Sequence, residues 1–238
     1  MADRALGFRG QVHGQGRATA RPLAAMGPSL RGGAAGASLV AVWLACGPVA
    51  AADEGTERSV PWNVGVTVTA YFQGRDSLVQ PTAAVDHGGL HLEGRYNYEA
   101  LQTGSLWVGW NLGWGKSLQL ALTPMLGGVF GSENGVAPGL EFTLSWGPMQ
   151  LSSQDEFVFN LSDWGESDFY SWSQLTGSPV GWLQTGLALQ RTRLVSTSRV
   201  VQWGPLVGVQ IWKLNGSIYW FDPGQVSQYW VASVEAAF

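Results

Sequence analysis

The sequence predicts an all-β fold, a closed antiparallel transmembrane β-barrel of twelve strands. Three observations carry this. From Trp62 onward, apolar and polar residues alternate with period two. That period belongs to strands whose two faces meet different surroundings. Turn signals divide the alternation into twelve segments, with short and long connections taking turns. Aromatic residues collect near the segment ends, as in the interfacial girdles of membrane barrels.

Composition narrows the classes first. The chain has 238 residues, 13% of them charged and 45% hydrophobic, with 33 Gly and 13 Trp. The charged share is roughly half that of an ordinary soluble domain. A single cysteine, Cys46, excludes a disulfide scaffold. No segment past residue 52 holds the ~18 consecutive apolar residues that a membrane-spanning helix needs. Residues 1–52 read as a leader and secretory signal that is removed: Arg31 precedes a short apolar core, and Ala50-Ala51-Ala52 offers a small-residue cleavage site. Met26 would start a signal of more usual length. Residues 53–61 read as a short periplasmic stretch and 62–238 as the barrel. Residues 1–52 hold five of the 13 basic and one of the 17 acidic residues, leaving 8 against 16. No basic patch remains, so nucleic acid is excluded as a partner.

The strand segments are 62–72, 77–86, 89–100, 104–114, 117–130, 138–147, 149–161, 168–176, 180–193, 199–212, 216–221 and 226–238. Pro81 weakens the second, and ten strands is the alternative count. Between residues 90 and 98, Leu90, Leu92, Gly94, Tyr96 and Tyr98 share one face, and His91, Glu93, Arg95 and Asn97 the other. Leu106, Val108, Trp110, Leu112 and Trp114 form one face of the next segment. Leu140, Phe142, Leu144 and Trp146 alternate with Glu141, Thr143 and Ser145. Short turns are expected at His87-Gly88, Gly115-Lys116, Gly147-Pro148, Gly177-Ser178-Pro179 and Leu214-Asn215. Longer links contain Gly74-Arg75-Asp76, Gln102-Thr103, Gly131–Asn134, Asp163–Glu166, Val195–Ser198 and Pro223-Gly224-Gln225. Pro124 and Pro205 cannot donate ladder hydrogen bonds and read as bulges.

The apolar face is expected to point outward. Twelve strands enclose more space than apolar side chains usually fill. Glu93, Arg95, Glu99, Glu141 and Glu156 share the opposite parity, and a charge on the lipid face is costly. Trp62, Trp114, Trp146 and Phe238 would form the girdle at the short-turn end. Phe72, Tyr96, Tyr98, Phe130, Phe157, Phe159, Trp203 and Trp230 would form the one at the long-loop end.

The last nine residues, Trp230 to Phe238, end in an aromatic with apolar residues at alternate positions before it. In this they resemble the C-terminal strand of bacterial outer-membrane β-barrel proteins. The aromatic usual two positions before the end is Ala236 here. The resemblance implies a bacterial outer-membrane location with outer-membrane lipid and lipopolysaccharide as surroundings. It also implies that Trp230, Ala232, Val234 and Phe238 form the signal read by the barrel-assembly machinery. No soluble partner is indicated.

For chemistry the sequence offers little. His87 and His91 are the histidines past residue 52. Their spacing is a poor match to a metal site. An outer-membrane lipid hydrolase is the less favoured alternative: its nucleophile and base would sit at the lipid-facing surface or outer rim, whereas His91 shares the inward parity of Glu93 and Arg95 and His87 falls in a short turn. No Gly-x-Ser-x-Gly motif is present, and no cofactor is implied. Arg191 and Arg193, near the outer rim, could meet lipopolysaccharide phosphates. The expected lumen lining includes Asp86, His91, Glu93, Arg95, Asn97, Glu99, Asn111, Glu141, Gln154, Glu156 and Gln202. Acids outnumber bases there, and Gly109, Gly186 and Gly208 leave room. A polar lumen of this kind predicts a narrow passive diffusion path for small hydrophilic or cationic solutes. The alternative is that the charges pair across the interior and plug it.

Overall fold

The computed structural model describes residues 60–74, 76–196 and 199–238. The leader, residues 53–59, Arg75 and the Thr197-Ser198 part of one predicted link lie outside the described residues. The strands are β1 (Trp62–Gln73), β2 (Asp76–His87), β3 (Leu90–Tyr96), β4 (Thr103–Trp110), β5 (Leu112–Gly115), β6 (Leu118–Gly131) and β7 (Gly135–Trp146). They continue with β8 (Met149–Asn160), β9 (Asp168–Val180), β10 (Leu183–Leu194), β11 (Val200–Ile211), β12 (Leu214–Phe221) and β13 (Tyr229–Ala237). A 3-10 turn, Trp164–Glu166, sits in the β8–β9 loop.

Except at β4 and β5, each strand pairs antiparallel with its neighbours in sequence, and β1 pairs with β13 from Gly65↔Ala237 to Phe72↔Trp230. The sheet therefore closes on itself, which removes the edges that hydrocarbon would not tolerate. β4 pairs directly with β6, so the ring has twelve strands. The short β5 lies outside that ring and pairs only with β6. The segment read as one strand over 104–114 is thus two pieces, split at Asn111. The register on β6 is the same on both sides of the split, from Gly109↔Met125 to Leu112↔Leu122.

Proline explains the split. Pro124 lies opposite the gap, and it pairs on its other side with Leu140 of β7 in unbroken register. Pro205 pairs with Leu187 of β10, while the β11–β12 ladder begins one residue later at Leu206↔Tyr219. Neither residue is a bulge, contrary to the sequence expectation. Pro81 and Pro138 follow the same rule: each pairs with one neighbouring strand and has no partner on the other. A residue without an N–H can sit within a ladder if its nitrogen faces the side where the ladder stops or skips.

Two predicted turns move. β9 runs through Pro179 to Val180, past the end of its pairing with β8 at Gly177, so no ladder there requires the N–H that Pro179 lacks. A register shift between Leu183 and Thr185 absorbs the extra length. The next turn falls at Trp212-Lys213 rather than at Leu214-Asn215, because Trp212 adopts a left-handed φ of 54°. Gly or Asn usually takes that conformation, so the sequence carried no sign of it.

The exterior is apolar. Trp62, Trp110, Trp114, Trp146, Trp182, Trp212 and Phe238 are exposed at the short-turn end. Phe72, Tyr96, Phe130, Phe159, Trp203 and Trp230 are exposed at the loop end. Val68, Leu126, Leu187 and Val207 are exposed between these bands. On the C-terminal strand, Trp230 stacks on Trp220 with ring centroids 5.2 Å apart, and Val234 and Phe238 also point outward.

The lipid-facing assignment makes a direct prediction. Leu187→Arg, near mid-strand on the outer face, should cost about 2–4 kcal/mol of folding free energy in lipid. Urea unfolding of the chain refolded into vesicles measures this. A cost near zero would place that face away from hydrocarbon.

Candidate functional site: the barrel interior

Strand alternation puts His91, Glu93 and Arg95 on one face of β3, and all three are buried. Facing them across the interior are Glu141 on β7 and Gln154 and Glu156 on β8. β3 and β8 are not neighbours: β4, β6 and β7 lie between them in the ring. Arg95 reaches across that span. Its Nε donates to Glu93 Oε1 at 2.5 Å and its Nη1 to Glu156 Oε2 at 2.9 Å. Its Nη2 lies 4.0 Å from Glu141 Oε1. The guanidinium carbon sits 4.3 Å from the Tyr98 ring centroid and 4.5 Å from that of Trp107. A delocalised, weakly hydrated cation suits this double aromatic contact better than an ammonium would.

The network continues toward the short-turn rim. His91 Nε2 lies 3.3 Å from Glu93 Oε2, and its Nδ1 lies 2.8 Å from Asp86 Oδ1. Asn111 Nδ2 donates to the same Asp86 oxygen at 2.6 Å, and Thr123 Oγ1 donates to Asn111 Oδ1 at 2.6 Å. Both ring nitrogens of His91 thus face carboxylates, with no serine between them. Buried charges of this density are tolerable only when every one is paired.

The indole of Trp107 lies beside Arg95 and across two glycines. A Cβ at Gly127 would stand 2.5 Å from the indole ring, and one at Gly139 would stand 2.9 Å from it. Trp107 Nε1 donates to Ser105 Oγ at 2.9 Å, and Ser105 Oγ donates to Glu99 Oε1 at 2.5 Å. Gly109 and Gly208 do not leave the open room expected of them. A Cβ at Gly109 would come within 3.0 Å of Met125, and one at Gly208 within 2.9 Å of Ser217 Oγ.

A second set of buried side chains fills the loop-side half beneath β9–β13 and β1. Tyr71, Tyr98, Tyr170, Trp172, Tyr219, Phe221 and Tyr229 form one cluster with Leu78, Leu206 and Val231. Glutamines take three of its hydroxyls. Tyr98 donates to Gln154 Oε1 at 2.8 Å, and Tyr219 to Gln174 Oε1 at 3.1 Å. The Tyr229 hydroxyl lies 2.8 Å from Gln190 Oε1 and 3.2 Å from Gln202 Oε1. Gln202 Nε2 in turn donates to Asp222 Oδ2 at 3.0 Å. Below the aromatics the interior carries hydroxyls and small amides, with Thr67, Thr69, Thr176, Asn215, Ser217 and Ser233 all buried.

Several sequence readings need correcting here. Tyr98 is not a girdle residue; it is 1% exposed and points inward. β3 ends at Tyr96, and Asn97 takes a left-handed φ of 57°, which breaks the alternation and turns the following residues inward. Glu99 is buried by the same fold-back, not by strand parity. Asn97 is a turn residue: its Nδ2 donates to Val79 O and its Oδ1 accepts from the Gln102 N–H. Trp107 and Trp172 are interior as well, away from the lipid-facing bands. Parity carried a signal for some of these, since Trp107 is out of phase with Leu106 and Val108, and Tyr71 in phase with Thr67 and Thr69.

No family model matches the chain, and no curated protein matches it. Among solved structures it is similar to the KdgM porin, with 11% identity and a TM-score of 0.52, over 73% of this chain and 99% of that one. It also aligns with Omp33 of Acinetobacter baumannii at 10% identity and a TM-score of 0.42, over 75% and 98% of the two chains. OccK5 of Pseudomonas aeruginosa aligns at 11% identity and a TM-score of 0.40, over 71% and 62%. The first likeness is one of fold. The chain shares with that porin a closed antiparallel β-barrel, here with an apolar exterior.

The Arg95 network predicts its own mutational pattern. Arg95→Met strands Glu93 and Glu156 in the interior and should cost about 3–5 kcal/mol. Adding Glu93→Gln and Glu156→Gln should recover most of that loss in the same unfolding measurement. Failure to recover would mean the carboxylates are not charged and paired as described.

Proposed function

We propose that this chain forms a narrow passive diffusion channel for small hydrophilic or cationic solutes across the outer membrane. The acidic balance of the interior carries the reading. Asp86, Glu93, Glu141, Glu156 and Glu235 stand against Arg95 and His91. An acidic, polar passage favours cations and neutral solutes over anions. The likeness to the KdgM porin supports a channel, and the hydroxyl-lined lower interior supplies polar contacts along the path. In this reading Asp86, His91, Glu93, Arg95, Asn111, Glu141, Gln154, Glu156 and Gln202 line the route, and Arg95 with its aromatic neighbours forms its constriction. Glu99 and Asn97 act at the loop-side mouth. Outside, Arg191 and Arg193 face lipopolysaccharide at the loop-side rim, with Arg191 over the Phe169 ring at 5.2 Å. Trp230, Ala232, Val234 and Phe238 present the outward face that the assembly machinery would read.

A second reading is a sealed structural barrel. Its support is the depth of packing, with Arg95 4% and Trp172 1% exposed.

Planar bilayers separate the two. A channel gives discrete conductance steps whose reversal potential in a salt gradient shows preference for cations. Arg95→Gln, which removes the interior guanidinium, should move that potential further toward the cation value. Silence of the purified, folded protein at all voltages would overturn the channel in favour of the sealed barrel.

A further inference from the structure

We propose that residues 97–102, the connection between β3 and β4, form an inward-folded lid that closes the loop-side mouth of the barrel. Its purpose rests on the channel reading, but its existence as a movable element can be tested apart from it. The segment turns into the barrel instead of away from it. Tyr98 is 1% and Glu99 0% exposed, whereas Leu101 on the same segment is 48% exposed.

Tyr98 is the part that closes. It descends between three elements: its hydroxyl donates to Gln154 on β8, its ring meets the Tyr170 ring of β9 edge-on at 6.1 Å, and its face covers the Arg95 guanidinium. One side chain thus joins the charged network to the aromatic cluster, the two bodies that fill the interior. The rest of the segment stays at the rim. Gln80 Nε2 donates to Asn97 O at 2.8 Å, and the Ser132 hydroxyl donates to Leu101 O.

Two features mark the lid as movable. Asn97 and Gln102, at its two ends, have left-handed φ of 57° and 58°. Only four non-Gly residues among those described have positive φ, and two of them bracket this segment. Such positions serve as hinges, where a small dihedral change swings the intervening residues. The docked state is also under-satisfied. Glu99 Oε1 accepts from Ser105, but its buried Oε2 has no hydrogen-bond partner. A buried carboxylate with one empty oxygen opposes the docking that Tyr98 favours, so the closed arrangement is a balance of opposed contributions.

The test uses the full chain with Cys46→Ser, which leaves no native thiol, and Ser152→Cys as a reporter. Ser152 is buried on β8, two residues from Gln154 toward the short-turn end. The folded protein in lipid vesicles is treated with a membrane-impermeant thiol reagent. Tyr98→Ala should accelerate labelling of the reporter by about tenfold or more, as expected when a buried position becomes solvent-accessible. Leu101→Ala should leave the rate unchanged. If Tyr98→Ala does not fold, as judged by gel migration before and after boiling, Gln154→Ala releases the same contact from the other side and should also raise the rate. Equal labelling rates in parent and released variants would overturn the lid. Bilayer recordings on the same variants separate this from the channel reading. Faster labelling without conductance retains the lid and removes the channel. Conductance in the parent with unchanged labelling retains the channel and removes the lid.

Discussion

Everything in this molecule depends on pairing the backbone in a medium that cannot pair it. Inside hydrocarbon an unmatched N–H or C=O costs several kcal/mol, so the first strand must meet the last. The eight residue pairs between β1 and β13 accomplish this. Once the ring is closed, the period-two geometry of strands leaves each residue two options, lipid or interior. The placement of prolines follows from the same constraint. Pro81, Pro124, Pro138 and Pro205 each stand where one neighbouring ladder stops or skips.

The interior answers a different problem. Polar and charged groups turned away from lipid still need partners, and in a narrow barrel they find them in one another. Arg95 satisfies two carboxylates and lies near a third, while its faces rest on Tyr98 and Trp107. Glycines at 127 and 139 are required because the indole occupies the space a side chain would take. Amides rather than charges serve the hydroxyls of Tyr98, Tyr219 and Tyr229. The result is a polar interior whose largest side chains, Trp172 and Arg95 among them, are deeply buried.

Much of the fold was legible in the sequence. The alternation named the outward face over residues 90–96, 106–114, 140–146 and 230–238, and His87-Gly88, Gly115-Lys116 and Gly147-Pro148 marked true turns. The candidate site was legible only in part. His91, Glu93 and Arg95 could be assigned to one face by parity. Their partner Glu156 could not be assigned to Arg95, since the two are 61 residues apart and the strands between them set the distance. The failures cluster where alternation breaks. Asn97 and Trp212 adopt left-handed backbone without being glycine, and every parity inference downstream of such a residue inverts until the next strand begins.

The sequence by itself determined class and orientation: period two with aromatic ends demands strands in a membrane, and carboxylates on one parity demand that this parity face inward. These are local properties, enforced by the solvent on each side of a strand. Tertiary structure decided what the interior contains. Which charges meet, which inward aromatics assemble into one cluster, and that Tyr98 and Glu99 fold inward all depend on curvature and register around a twelve-stranded ring. Those are global properties of closure, and no short stretch of sequence carries them.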